Sequence, residues 1–142
     1  HNQGWNVESD TKEGWANKVG WIASSPNATF TIGFKENEID KEVNAVTIIF
    51  MRSYGEKWAD SRARFTFTAD ADDRNDNDEG KGNESTLLEA DIWGVHNVTN
   101  SLSLSEKFVL PQTVTKGQRM KMKVDLISGS TFKIMGMMLC RY

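Results

Sequence analysis

The chain has 142 residues, long enough for one domain to bury a hydrophobic core without help from disulfides or metals. Its 17 basic and 20 acidic residues leave a formal net charge of -3, which supplies neither the cationic face that a phosphate backbone requires nor a polybasic membrane patch, so nucleic acid is excluded as an expected partner. No run approaches the roughly 20 apolar residues of a membrane span, and the N-terminus His1-Asn2-Gln3-Gly4-Trp5 lacks the basic-then-apolar layout of a signal peptide, as in a processed or excised chain.

In chain order, the first 18 residues are polar apart from Trp5, Val7, Trp15 and Ala16. This predicts an N-terminal arm, residues 1–18, docked by its tryptophans, ahead of a single β-sandwich domain over residues 19–142. A strand is expected over 21–24, then a half-buried one in which Phe30, Ile32 and Phe34 share one face and Thr29, Thr31 and Gly33 the other. Residues 46–51 are β-branched and apolar on nearly both faces, as in a strand from the middle of a sheet. Residues 54–62 have room for one short helical turn. Alternation resumes at Arg64-Phe65-Thr66-Phe67-Thr68.

An acidic, Asn- and Gly-rich stretch over 70–82 reads as a long exposed loop. Further strands are expected over 87–93, 102–110 and 132–139, and between the last two Met120, Met122, Val124 and Leu126 alternate with Lys121, Lys123 and Asp125. Pro26, Gly55, Gly80, Gly82, Pro111, Gly117 and Gly129 punctuate the series, and no segment holds a helical period for three turns. About eight strands in this arrangement predict an all-β, antiparallel, jelly-roll-like sandwich.

Three sequons, at Asn27, Asn83 and Asn97, stand at expected turns or strand ends and predict N-glycosylation and therefore secretion. Cys140 is the only cysteine, so no internal disulfide can form; beside an apolar run it reads as a small buried hydrophobe.

The segments Gly20-Trp21-Ile22, the strand 46–51 running into Arg52-Ser53-Tyr54-Gly55, Asp91-Ile92-Trp93-Gly94, and Phe132-Lys133-Ile134-Met135-Gly136-Met137 follow one another in an order that resembles a C-terminal accessory domain. That domain follows the catalytic domain in some plant and algal SGNH-type (GDSL-like) esterase proteins. The resemblance covers most of the chain from about residue 19, and its motifs are mainly strand ends and turn glycines, so it implies a non-catalytic β-sandwich. The chain has no Gly-Asp-Ser-Leu segment and no Asp-x-x-His pair, so the resemblance carries no hydrolase activity with it.

The candidate chemistry is of three kinds. Five tryptophans invite a carbohydrate reading, because apolar sugar faces stack on exposed aromatic planes while polar neighbours bond the hydroxyls. Trp58 and Trp93, near strand ends, are the candidate platforms, against the alternative that Trp21 and Trp93 plug the core and leave Trp5, Trp15 and Trp58 free. Arg52, Tyr54 and Arg64, with Arg62, form a candidate polar face for the ligand, including carboxylated sugars; the alternative is surface pairing with Glu56 and Asp60. His1 and His96 are weak candidates for a copper His-brace. Asp73, Asn75, Asn77 and Glu84 match an EF-hand-like calcium count, although Asp78 stands where that loop needs glycine and no helices flank it.

The expected function is a non-catalytic, secreted β-sandwich that binds extracellular polysaccharide, with no cofactor. The first alternative is a structural subunit of a glycosylated fibre or surface layer, self-associating through the arm. The second is the copper oxidoreductase.

Overall fold

Alternation dictates the strands, and the strands pair into two layers. The computed structural model describes residues 1–9, 18–70 and 84–141. In chain order the strands are β1 (Asn2–Gln3), β2 (Trp5–Ser9), β3 (Val19–Ala23), β4 (Thr29–Phe34), β5 (Val43–Arg52), β6 (Arg62–Asp70), β7 (Glu84–Trp93), β8 (Leu102–Val114), β9 (Met120–Ser128) and β10 (Phe132–Cys140). A single 3₁₀ turn, Glu56–Trp58, links β5 to β6, as the short helical turn expected there. No helix among the described residues is long and apolar enough to cross a membrane.

Sheet A has the order β1-β4-β9-β6-β7 and sheet B the order β2-β3-β10-β5-β8, with neighbouring strands antiparallel throughout. The all-β antiparallel sandwich is therefore the observed fold, with ten strands among the described residues because β1 and β2 come from the segment expected to be an arm. Residues 1–9 are part of the sandwich: Asn2 and Gln3 pair with β4, and β2 pairs with β3 along its whole length. Trp5 drives this. It faces inward on β2 opposite Ala23, is 1% exposed, and meets Phe30 edge-on at 4.9 Å between ring centres. A Trp withdrawn from water this completely stabilises the strand that carries it by roughly 2–3 kcal/mol, so residues 1–9 are docked through Trp5, and as edge strands of the sandwich.

β6 shows how sequence becomes layer: Ala63, Phe65, Phe67 and Ala69 are buried, and Arg62, Arg64, Thr66 and Thr68 face the other way. β9 mirrors it with Met120, Met122, Val124 and Leu126 inward, Phe65 opposite Val124 and Phe67 opposite Met122. Aromatic contacts then tie the layers together. Phe65 of sheet A lies 6.2 Å from both Phe108 and Phe132 of sheet B, and Phe67 lies 5.8 Å from Phe108. β5 lies between β10 and β8, as its two apolar faces predict; Val46, Ile48 and Phe50 enter the core while Ala45, Thr47 and Met51 on its other face are buried as well. Cys140 is half-buried and has a free thiol.

Candidate functional site

Three strand ends meet at one end of the sandwich, and their connections fix its geometry. β5 finishes at Arg52, β6 begins at Arg62, and β7 finishes at Trp93 directly opposite Arg62. The chain leaving β7 is held on both sides: the Gly94 amide donates to the Ser61 carbonyl at 2.9 Å, and the Gly94 carbonyl accepts from the Ser53 amide at 2.9 Å. Only glycine fits there, because a Cβ at Gly94 would overlap Ser61 Oγ and come within 2.9 Å of the Phe132 ring. The clamp continues as the His96 amide donates to the Ser53 carbonyl at 2.9 Å and Ser53 Oγ bonds Ser101 Oγ at 2.7 Å.

The β7 edge of sheet A carries Trp93 on its outer face. The indole is 47% exposed, and the Arg62 guanidinium carbon lies 4.9 Å from its ring centre. Cation-π contact helps to hold the ring in place while nearly half of the residue stays exposed to solvent. Arg62 and Arg64, two residues apart on β6, both reach Asp91 across the strand pair; Arg64 Nε donates to it at 2.8 Å, and Arg64 also pairs with Glu89 at 3.2 Å. The ladder of polar groups continues over the same face to the Lys123–Asp125 pair at 2.9 Å and to Thr29, whose hydroxyl donates to Asp125 at 2.7 Å.

Arg64's hydrogen bond, against a smaller desolvation effect and with help from Arg62, holds the Asp91 carboxyl below the ordinary aspartate range. A carboxylate depressed in the folded state contributes stability that is complete above its unfolded pKa and is lost as pH falls through the folded value. Asp91→Asn is therefore expected to cost about 1 kcal/mol at neutral pH. The gap from the parent should close as pH drops below the usual carboxylate range, which urea titrations at stepped pH will measure; a gap that persists in acid would sink the assignment.

The residues singled out in the sequence separate here. Trp93, Arg52 and Tyr54 come to this end: Tyr54 is exposed, two residues past β5, and Arg52 donates from Nε to the Trp93 carbonyl at 3.0 Å. Arg64 belongs to the same face but is engaged by Asp91 and Glu89, not by Glu56 or Asp60. Trp58 is corrected: the 3₁₀ turn holds it 6% exposed, so it offers no ring face to a ligand. The alternative that Trp21 and Trp93 both plug the core holds for Trp21, which packs on it 4.6 Å from Phe30, and not for the exposed Trp93. Trp15 lies outside the described residues.

His1 and His96 are not brought together. His1 bonds Thr31 of β4 from the β1 edge of the sheet, and His96 follows β7 at the opposite edge, about four strand spacings or roughly 19 Å away. Both ring nitrogens of His96 are also engaged, Nδ1 accepting from the Val98 amide at 2.9 Å and Nε2 donating to the Arg52 carbonyl at 3.1 Å, so the copper brace is corrected. Asp73, Asn75 and Asn77 of the calcium count, and the sequon residue Asn83, lie outside the described residues; Glu84 opens β7 and pairs with Lys121. Asn27 and Asn97 are both exposed.

No family model and no curated protein matches the chain. Among solved structures it is similar to the Clostridium thermocellum N-terminal endo-1,4-β-D-xylanase 10B CBM22-1-GH10 modules complexed with xylohexaose, at 14% identity and TM-score 0.52, over 99% of this chain and 25% of that one. It spans about a quarter of that structure's length. A second likeness is to "Family 16 Carbohydrate Binding Module-2", at 11% identity and TM-score 0.47, over 97% of this chain and 86% of that one. At 14% identity what the first of these shares with the chain is the fold, the two-layer antiparallel sandwich built above.

Proposed function

We propose that the protein is a non-catalytic, extracellular β-sandwich that binds polysaccharide, with a sugar ring stacked on Trp93. One observation carries the reading: a large aromatic ring is left 47% exposed while it is held by a cation beside it and a clamped main chain beneath it. An exposed indole costs free energy in water, and a flat apolar sugar face recovers it. The outward polar ladder from Asp91 to Asp125 offers hydrogen-bonding groups in the direction an extended chain would run. The exposed sequons at Asn27 and Asn97 suit the extracellular setting in which polysaccharides occur. The xylohexaose in the similar xylanase structure agrees with a glycan ligand.

Trp93→Ala is expected to weaken retention in polysaccharide-containing gels by roughly thirtyfold, corresponding to ~2 kcal/mol for a central aromatic anchor. The panel is xylan, galactan, β-glucan, mannan and polygalacturonate, and circular dichroism checks that the variant is folded. Parent and variant migrating alike on every polysaccharide that retains the parent would overturn the reading.

A further inference from the structure

We infer that the sugar held at Trp93 carries a carboxylate and that Arg52 is the group that recognises it, an inference that rests on Trp93 as the stacking platform. The three arginines at this end differ in what they have left to give. Arg64 is engaged by Asp91 and Glu89. Arg62 is paired with Asp91 and covered by the indole, its Nε buried with no hydrogen-bond partner. A ligand anion approaching either one would have to displace Asp91, whose own charge repels it.

Arg52 is different. It has no carboxylate partner among the described residues, and the one hydrogen bond its guanidinium makes to them runs from Nε to the Trp93 carbonyl at 3.0 Å. Its guanidinium carbon sits 5.8 Å from the centre of the Phe50 ring, and the residue is half-buried. The cation is therefore fixed from two directions while both terminal nitrogens keep their N–H donors, a fork that matches a carboxylate in two parallel bonds. Little side-chain entropy remains to be lost on binding, and partial burial reduces screening by salt. His96 cannot substitute, because both its ring nitrogens are engaged.

The position of the cation selects the ligand. Arg52 is anchored on the main-chain carbonyl of the very residue whose ring would carry the sugar, which sets a cation next to the platform. A uronate bears its carboxylate at the ring edge, where a neutral hexose has a hydroxymethyl group. With a formal net charge of -3 the chain as a whole does not attract anions, so any preference for uronates is local to this cation.

The test uses the full chain with polygalacturonate, alginate and glucuronoxylan, each beside its carboxyl-reduced form, which keeps the backbone and removes the charge. At least one acidic polymer should bind about tenfold or more tightly than its reduced form, as expected when charge-assisted hydrogen bonds replace neutral ones. Arg52→Gln should abolish that ratio, and Arg52→Lys should keep part of it because it keeps the charge. Equal affinity for acidic and reduced forms, or a ratio unchanged in Arg52→Gln, overturns the inference. If the parent then still binds a neutral polymer and loses it in Trp93→Ala, the polysaccharide reading survives alone. If nothing is bound in a Trp93-dependent way, both fall.

Discussion

Phe132→Ala is expected to lower the free energy of unfolding by about 3–5 kcal/mol, the cost of deleting a fully buried aromatic ring from a packed core. Phe132 opens β10, is 0% exposed, and is the ring at which both layers meet. It stacks on Phe50 of its own sheet at 6.1 Å, meets Phe65 of the opposite sheet edge-on at 6.2 Å, and lies 6.4 Å from Trp5. Neighbours held in two different sheets cannot all move inward to fill the space, so most of the cavity should persist. Urea unfolding will show a lower midpoint with an unchanged slope, since the surface exposed on unfolding is nearly the same. Phe132→Leu should recover much of the loss. A cost below about 1 kcal/mol would mean that the junction collapses and that the aromatic contacts across the layers are not what holds them together.

The same ring explains which parts of the protein were legible in the sequence. Alternation alone placed Phe65, Phe67, Met120, Met122, Val124 and Leu126 on buried faces, because period two is a direct consequence of strand geometry. The doubly apolar segment 46–51 read correctly as an inner strand for the same reason. Residues 1–9 misled because their polarity is real: Asn6, Val7, Glu8 and Ser9 are exposed, and the burial of Trp5 depends on its cross-strand partner Ala23 and on Phe30. One buried residue in five gives no periodicity to read.

The site was harder because it depends on register. Trp58 and Trp93 look alike in the sequence, each near a strand end, and only the 3₁₀ turn that buries one and the sheet edge that exposes the other tell them apart. In the sequence the acidic neighbours of Arg62 and Arg64 are Glu56 and Asp60, whereas the β6–β7 register sets Arg64 opposite Asp91 and Arg62 opposite Trp93. That register includes a slip between Phe67 and Thr68, and a slip of one residue exchanges the two faces of a strand. The signal that could have found Asp91 is the pairing of Arg-x-Arg with Glu-x-Asp-x-Trp across an expected hairpin, a match of opposite charges on one face.

Gly94→Ala joins the core to the site, and it is expected to cost about 1–3 kcal/mol of stability together with most of the polysaccharide retention. The added Cβ would overlap Ser61 Oγ and crowd the Phe132 ring at 2.9 Å. Ser61 cannot simply turn aside, because its hydroxyl is buried and donates to the Thr131 carbonyl at 2.5 Å. Nor can the main chain withdraw freely, being bonded to Ser61 on one side and Ser53 on the other. Relief must come from displacing the strand end, and the adjacent residue is Trp93, whose carbonyl holds Arg52. Adding Ser61→Ala should restore part of the stability, since it removes one of the two clashes, and the two substitutions should therefore be non-additive. Thermal unfolding and gel retention measured on both single variants and the double variant decide the matter. If Gly94→Ala melted and bound like the parent, the clamped junction would not be what positions Trp93, and its orientation would have to come from Arg62 alone.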